Sequence, residues 1–272
     1  MTRIWTTCSR LKTQIMKRFN GQQTVRYALA LLFTVHCSLF TASAQTEGGL
    51  IAGAEVEKKV NKQLSVGVEA ELRTRNDFKT MERWSLGLGA TYKFNKWLKA
   101  DAGYTLLNTN FREDISYKSS GAYNNWRPSY WGLRHRVHAS LTGSYKFQNG
   151  LRVSLRERWQ YTYRPEKTVE RWDFDNACWE DKARSGKAKN QLRSRLQVEY
   201  DKKYALLTPY ASVELYNTDE VEKIRYTLGA DINLTKQHSL DVFYRYENKK
   251  NVEAGVYDPD MHYIGVGYKF KF

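Results

Sequence analysis

Residues 262–272, HYIGVGYKFKF, decide the fold. Ile264, Val266, Tyr268, Phe270 and Phe272 share one parity, and Gly265, Gly267, Lys269 and Lys271 share the other. In an extended chain successive side chains point to opposite faces, so this stretch has one apolar face and one small or basic face. The same rhythm runs backward through the chain. In 224–234, Ile224, Tyr226, Leu228, Ala230, Ile232 and Leu234 alternate with Arg225, Thr227, Gly229, Asp231 and Asn233. In 136–147, Val137, Ala139, Leu141, Gly143, Tyr145 and Phe147 alternate with Arg136, His138, Ser140, Thr142, Ser144 and Lys146. Residues 83–94 repeat the pattern, with Trp84, Leu86, Leu88, Ala90, Tyr92 and Phe94 on the apolar face.

A soluble sandwich also alternates, so period alone does not choose a membrane. Three further features do. The alternating segments run about ten residues or more, whereas soluble strands average about five or six. Aromatics gather at segment ends, as in Tyr92/Phe94, Tyr145/Phe147, Trp159/Tyr161/Tyr163 and Tyr244/Tyr246, where interfacial girdles belong. Connections alternate in length. Asn95-Lys96, Gln148-Asn149-Gly150, Asp201-Lys202-Lys203 and Thr235-Lys236-Gln237 read as tight turns, and 110–131, 165–190 and 251–260 as long loops. The expectation is an all-β transmembrane antiparallel barrel of about 10–12 strands, with short periplasmic turns and longer extracellular loops.

Ten strands are legible from Leu64 onward, with a further candidate over 50–58. Bacterial barrels carry even numbers. An even count requires 50–58 to cross the lumen, or one more strand to exist elsewhere. Pro209 falls inside a strand and has no N–H for the ladder, so a bulge or a local gap in pairing is expected there.

The chain has 272 residues, 44 Lys+Arg against 29 Asp+Glu, and a formal charge of +15. The longest apolar run, Tyr27 to Phe40, follows Lys17, Arg18 and Arg26 and leads into Ala42-Ser43-Ala44. This is the layout of a cleaved secretory signal, and the run is shorter than the ~20 residues of a spanning helix. Residues 1–44 therefore read as a signal peptide, with Met16 as an alternative start, and 45–272 as a single barrel domain. Cleavage near Ala44 removes six basic and no acidic residues, taking the charge to +9. Cys37 follows His36 rather than a small residue, against lipidation. Only Cys178 remains, so no internal disulfide forms. Nucleic acid is not an expected partner, because basic residues alternate with apolar ones instead of forming a block.

Gly267, Tyr268, Phe270 and Phe272 resemble the terminal signal by which the barrel assembly machinery recognises its substrates. From Glu69 onward the chain resembles a family of uncharacterised outer-membrane barrels catalogued only as a domain of unknown function. The resemblance runs through Glu71-Leu72-Arg73, WLKADAGY at 97–104, LRHRVHASLTGSYKF, LRVSLRERWQYTYR, LRSRLQVEYDKK, LTPYASVELYN, IRYTLGADINL, SLDVFYRYE and YIGVGYKFKF. It implies a barrel in the cell outer membrane and supplies no activity.

Projecting the polar parity inward gives a charged lumen. It holds Glu69, Glu71, Arg73, Arg75, Asp101, Arg136, Arg152, Arg156, Arg158, Arg193, Arg195, Glu199, Glu214, Asp231, Asp241, Arg245 and Glu247. Such rows either pair across a narrow barrel as an ion-pair core or line a path favouring small anionic solutes. Expected partners are outer-membrane lipid and lipopolysaccharide, with a monomeric chain, no cofactor and no metal. His135 and His138, three apart on a strand, face opposite ways and share no ion. Asp173-Phe174-Asp175-Asn176 opens like a calcium loop, but Cys178 and Arg184 stand where the turn glycine and the bidentate carboxylate belong.

His138 and Ser140 are the candidates for catalysis, since i and i+2 share a face and an activated serine needs a base. An outer-membrane lipid A deacylase has a similar His-x-Ser pair, facing lipid. Here the pair is expected to face inward beside Arg136, with no orienting carboxylate, and the balance is against an enzyme. Two alternatives to a channel remain at this point: lipid modification through His138/Ser140, and surface glycan recognition by loop aromatics such as Trp126, Tyr130, Trp131, Trp172, Phe174 and Trp179. Glu157 falls on the lipid-facing parity, which predicts either a bulge or a partner on a neighbouring strand.

Overall fold

The structure, a computed structural model, describes residues 46–201, 206–250 and 257–272. The expected signal peptide lies outside them, as do Lys202 and Lys203 of one turn. The strands are β1 (Thr46–Lys59), β2 (Leu64–Arg75), β3 (Thr80–Lys93), β4 (Leu98–Phe111), β5 (Asp114–Tyr117), β6 (Tyr123–Arg127), β7 (Tyr130–Lys146) and β8 (Leu151–Arg164). They continue with β9 (Lys167–Asp173), β10 (Cys178–Arg184), β11 (Lys187–Tyr200), β12 (Leu207–Asn217), β13 (Val221–Asn233), β14 (His238–Lys249) and β15 (Asp260–Lys271).

Eleven of these close a barrel in the order β1-β15-β14-β13-β12-β11-β8-β7-β4-β3-β2. Neighbours are antiparallel except at the seam, where β1 pairs with β15 in parallel from Thr46↔Asp260 to Glu57↔Lys271. The wall is therefore odd-numbered, against the even expectation. The 50–58 segment does not cross the lumen: β1 is a wall strand, hydrogen-bonded to β2 on its other side. Without it, β2 and β15 would have the right directions to close an even barrel of ten.

The barrel is apolar outside and polar inside. Leu88 and Ile264 on the outer face are 61% and 57% exposed, whereas inward Arg73 and Glu247 are 8% and 3% exposed. Tyr92, Phe94, Trp97, Tyr145, Phe147, Tyr200 and Phe272 are exposed around the end of the barrel that carries the short turns. Four of those turns are closed by a side chain that accepts from the backbone at the start of the next strand, one of them through Asn149, which accepts from Leu151. Asn61 accepts from Gln63 and Leu64, Asn95 from Trp97 and Leu98, and Thr235 from Gln237 and His238. Such local capping by short polar side chains is why these residues punctuate the alternation.

At the other end the two longest connections fold into strands of their own. The β5–β6 and β9–β10 hairpins join through Asn125↔Asp173 and Trp126↔Trp172 into a four-stranded sheet, β10-β9-β6-β5. Pro209 produces the local gap expected of it. The β11–β12 ladder stops at Glu199↔Tyr210, and Pro209 pairs only with Ala230 of β13.

A small apolar cluster of Ile51, Phe243, Met261 and Tyr263 fills the inner side of the seam. Glycine makes it possible: a Cβ on Gly265 would stand 2.1 Å from the Phe243 ring, so only a residue without one lets the ring lie against the wall.

Candidate functional site

The remaining interior is one cavity of about 2010 Å³, lined from Lys93, Lys96, Lys146 and Lys271 at the turn end to Arg112, Lys189 and Lys250 at the loop end. Every lumen charge expected from the sequence lines it except Glu199, whose carboxylate lies 3.0 Å from Arg152 on the adjacent strand. The lining holds 24 Lys and Arg against 12 Asp and Glu, so the cavity is strongly basic. Arg83, Arg134, Lys223 and Arg225 belong to it as well and were not singled out. The period-two rule, carried further along the same strands, reaches each of them.

Register explains how the charges meet. Arg156, Arg195, Glu214, Arg225 and Glu247 lie opposite one another on successive strands β8, β11, β12, β13 and β14. Glu214 accepts from Arg156 at 2.5 Å, from Arg193 at 3.0 Å, from Arg225 at 3.1 Å and from the Tyr216 hydroxyl at 3.1 Å. Glu247 meets Arg225 at 2.6 Å and Lys223 at 2.8 Å, with Arg73 3.7 Å away. Arg193, Lys223 and Arg225 also lie 4.3–4.8 Å from the Tyr216 ring centroid, which adds cation–π attraction. Two carboxylates thus serve five cations.

A wall of arginine continues from this cluster. β7, β8 and β11 contribute Arg134, Arg136, Arg152, Arg156, Arg158, Arg193 and Arg195 to the cavity. The apolar cluster at the β14–β15–β1 seam lies across the barrel from them. The lumen therefore has an arginine-rich side and, across from it, a small apolar cluster against which Arg73 and Arg245 lie. Arg136, Arg195 and Arg245 form no ion pair among the described residues. Arg136 reaches only Thr162, at 3.4 Å, and Arg245 lies 4.6 Å from the Phe243 ring centroid.

Toward the turn end the acids Asp231 and Asp241 face each other on β13 and β14, and Tyr210 donates to Asp241 at 2.9 Å. Glu71 bridges Arg73 at 2.7 Å and Arg83 at 2.8 Å. Glu69 lies over Gly87, where a Cβ would approach it to 2.6 Å. The loop-side rim is tied by Glu47, which accepts from Arg112 at 2.7 Å through both oxygens, from the Tyr257 hydroxyl at 2.9 Å and from the Asn76 backbone at 3.0 Å. Burial works against the Arg112 cation, yet the Glu47 bond and charge outweigh it and raise its pKa. Beyond the turn end of β11, the Lys146 ammonium hydrogen-bonded to Asp201 leads in holding that carboxyl below its ordinary range.

His138 and Ser140 both face inward, and their orienting carboxylate is Asp101 of β4. The expectation of no such partner is corrected. The neighbouring strand in sequence, β8, offers only outward Glu157, but β4 is the other neighbour and pairs Asp101 with Ser140. Ser140 donates to Asp101 Oδ1 at 2.5 Å, His138 Nε2 is 3.3 Å from Oδ2, and Arg158 Nη2 is 3.1 Å from Oδ2. Both groups are spent on one carboxylate. A relay instead needs the histidine between serine and acid, so the arrangement is an ion-pair and hydrogen-bond hub. Gly103, opposite His138, leaves the room the imidazole occupies.

His135 points outward and bonds the Tyr104 hydroxyl through Nδ1 at 2.7 Å. Glu157 is exposed on the outer face with no register shift beside it, and Ser194 of β11 donates to it at 2.7 Å. Of the two outcomes expected for it, the neighbouring-strand partner is the one found. In the loop sheet, Trp126, Trp172 and Trp179 form one row on adjacent strands, with ring centroids 5.5 Å apart in two pairs. Tyr123 and Phe174 stack at 5.2 Å beside them.

A family model described as "Protein of unknown function (DUF2490)" matches residues 49–257. No curated protein matches the chain. Among solved structures, the β domain of the Bordetella autotransporter BrkA is similar at a TM-score of 0.51 and 14% identity, covering 77% of this chain and 82% of that one. The NanC porin aligns at a TM-score of 0.44 and 14% identity, covering 83% and 98%. The translocator domain of the autotransporter NalP from Neisseria meningitidis aligns at 0.42 and 13%, covering 70% of each chain.

Proposed function

We propose that this chain, which belongs to the DUF2490 family of proteins of unknown function, forms a narrow passage through the outer membrane that favours small anions. The observation that carries this reading is the cavity of about 2010 Å³, lined from end to end by twice as many basic as acidic side chains. Fixed positive charge in a confined, partly desolvated space raises the local concentration of anions and lowers that of cations. The arginine wall of β7, β8 and β11 is the selective surface. The ion pairs around Glu214 and Glu247 keep that wall in place. Arg136 and Arg195, which have no carboxylate partner among the described residues, remain available to a passing anion.

Refolded protein in planar bilayers under a salt gradient tests this. Stepwise conductance with a reversal potential favouring chloride is expected, and Arg136→Glu with Arg195→Glu should move that potential toward potassium. A silent bilayer would overturn the reading. A second reading, recognition of surface glycan, is favoured by the row of half-buried Trp126 and Trp172 and exposed Trp179, whose ring faces suit the apolar faces of sugar rings. Loss of glycan binding after Trp172→Ala with Trp179→Ala would support it, and unchanged binding would count against it.

A further inference from the structure

At the loop end of the arginine wall, β7, β8, β9 and β10 bring four cations onto one aromatic platform built by β4 and β7. Phe111, the last residue of β4, pairs with Tyr130, the first of β7, and their rings stack at 5.0 Å. The guanidinium of Arg134 lies 4.4 Å from the Phe111 ring centroid, that of Arg184 5.4 Å and that of Arg164 5.7 Å. Arg184 also donates to the Tyr130 hydroxyl, and the Lys167 ammonium is 5.9 Å from the Tyr130 ring centroid.

Among the described residues none of these four cations has an ion-pair partner. Three carboxylates of the loop region are engaged elsewhere, Asp114 with Arg127, Glu180 with Arg171 and Asp175 with Lys118. Arg164 gives one bond to the Ser185 carbonyl at 3.0 Å, while its Nε is buried without a partner. Lys167 gives one to the Trp131 carbonyl at 2.5 Å. Most guanidinium N–H groups are therefore unspent.

Ring contacts attract each cation singly but do nothing to reduce repulsion among them. Around Glu214, by contrast, close arginines share a carboxylate. Here no carboxylate among the described residues pairs with the cations, and three planar forks gather around one ring, a geometry that suits the oxygens of a phosphate. We propose that Phe111, Tyr130, Arg134, Lys167, Arg164 and Arg184 form a binding site for a phosphate group, carried either by a small solute or by lipopolysaccharide of the outer leaflet. Arg134 also lines the lumen, so the site stands at its mouth. The proposal deepens the anion-passage reading but is tested by binding alone, so failure of conductance and failure of this site are separable.

Refolded protein in phosphate-free detergent is titrated with inorganic phosphate by calorimetry, and separately with lipid A in mixed micelles. Saturable binding with about a tenfold loss on Arg164→Gln or Arg184→Gln is expected. Arg184→Lys should recover only part, because an ammonium lacks the fork. Heat-modifiable migration on gels shows whether each variant has kept its barrel. Binding of inorganic phosphate assigns the site to solutes, and binding of lipid A alone assigns it to a headgroup. Absence of both, or folded Gln variants that bind as tightly as the parent, would overturn the proposal.

Discussion

Glu214 is the residue on which the arginine wall turns. It is 2% exposed and takes Arg156, Arg193 and Arg225 together, so Glu214→Gln keeps the shape while leaving three guanidiniums without their shared charge. Removing one partner of a buried ionic cluster costs roughly 3–5 kcal/mol, and the lower end is expected here because the cluster borders a cavity. Urea unfolding from lipid vesicles would measure it. A midpoint equal to the parent's would mean that the wall stands without the cluster. Glu157 presents the opposite case, a carboxylate on the apolar face with one serine hydroxyl for company. Glu157→Leu should stabilise the barrel by about 1–2 kcal/mol in vesicles, since a charge at mid-strand on the lipid face is unfavourable. A loss of stability would reveal that the carboxylate meets a further partner in the membrane.

At the scale of the element, the long alternating strands were legible because one face meets lipid and the other a charged interior, so each residue reports its own side. Loop structure was less legible. Within 110–131 and 165–190 the strands are short and aromatic residues sit on a solvent-exposed face, so period two carries no inside and outside. Asp101 shows another limit. Its parity placed it in the lumen, but its role depends on β4 lying beside β7 after an excursion of 18 residues through β5 and β6. Alternation does not encode which strands become neighbours. The β8–β11 ladder is already complete from Arg164↔Lys187 to Leu151↔Tyr200. Replacing 166–185 with a short turn should therefore leave the barrel folded and heat-modifiable while abolishing the loop sheet. A variant that fails to refold would show that β9 and β10 support the wall.

The whole molecule is shaped by a seam that the sequence did not announce. An even barrel of ten was available to β2 through β15, and the terminal strand would then lie beside β2. Instead β1 enters between them, parallel to β15 and antiparallel to β2. What favours this is the inner side of the seam. Ile51 packs with Met261, Tyr263 and Phe243, and Gly49 lets the Tyr263 ring approach to where its own Cβ would stand, 2.7 Å away. Burying such an apolar cluster contributes about 1.5–3 kcal/mol per large side chain, which a ten-stranded closure would forgo for Ile51. The terminal strand thus finishes against β1, with Lys59 donating to the Phe272 carbonyl and Phe272 to that of Glu57. In a Cys178→Ser background, Ala52→Cys and Val266→Cys, which face each other across the seam, should cross-link rapidly with a short thiol-bridging reagent in intact membranes. Ala52→Cys paired instead with Phe270→Cys, four positions along the same strand, should react far more slowly. Equal rates would mean that β1 is not locked in this register. Efficient linkage of Val266→Cys to a cysteine at Val68 or Ala70 of β2 would mean that the barrel closes on ten strands, with β1 displaced from the wall.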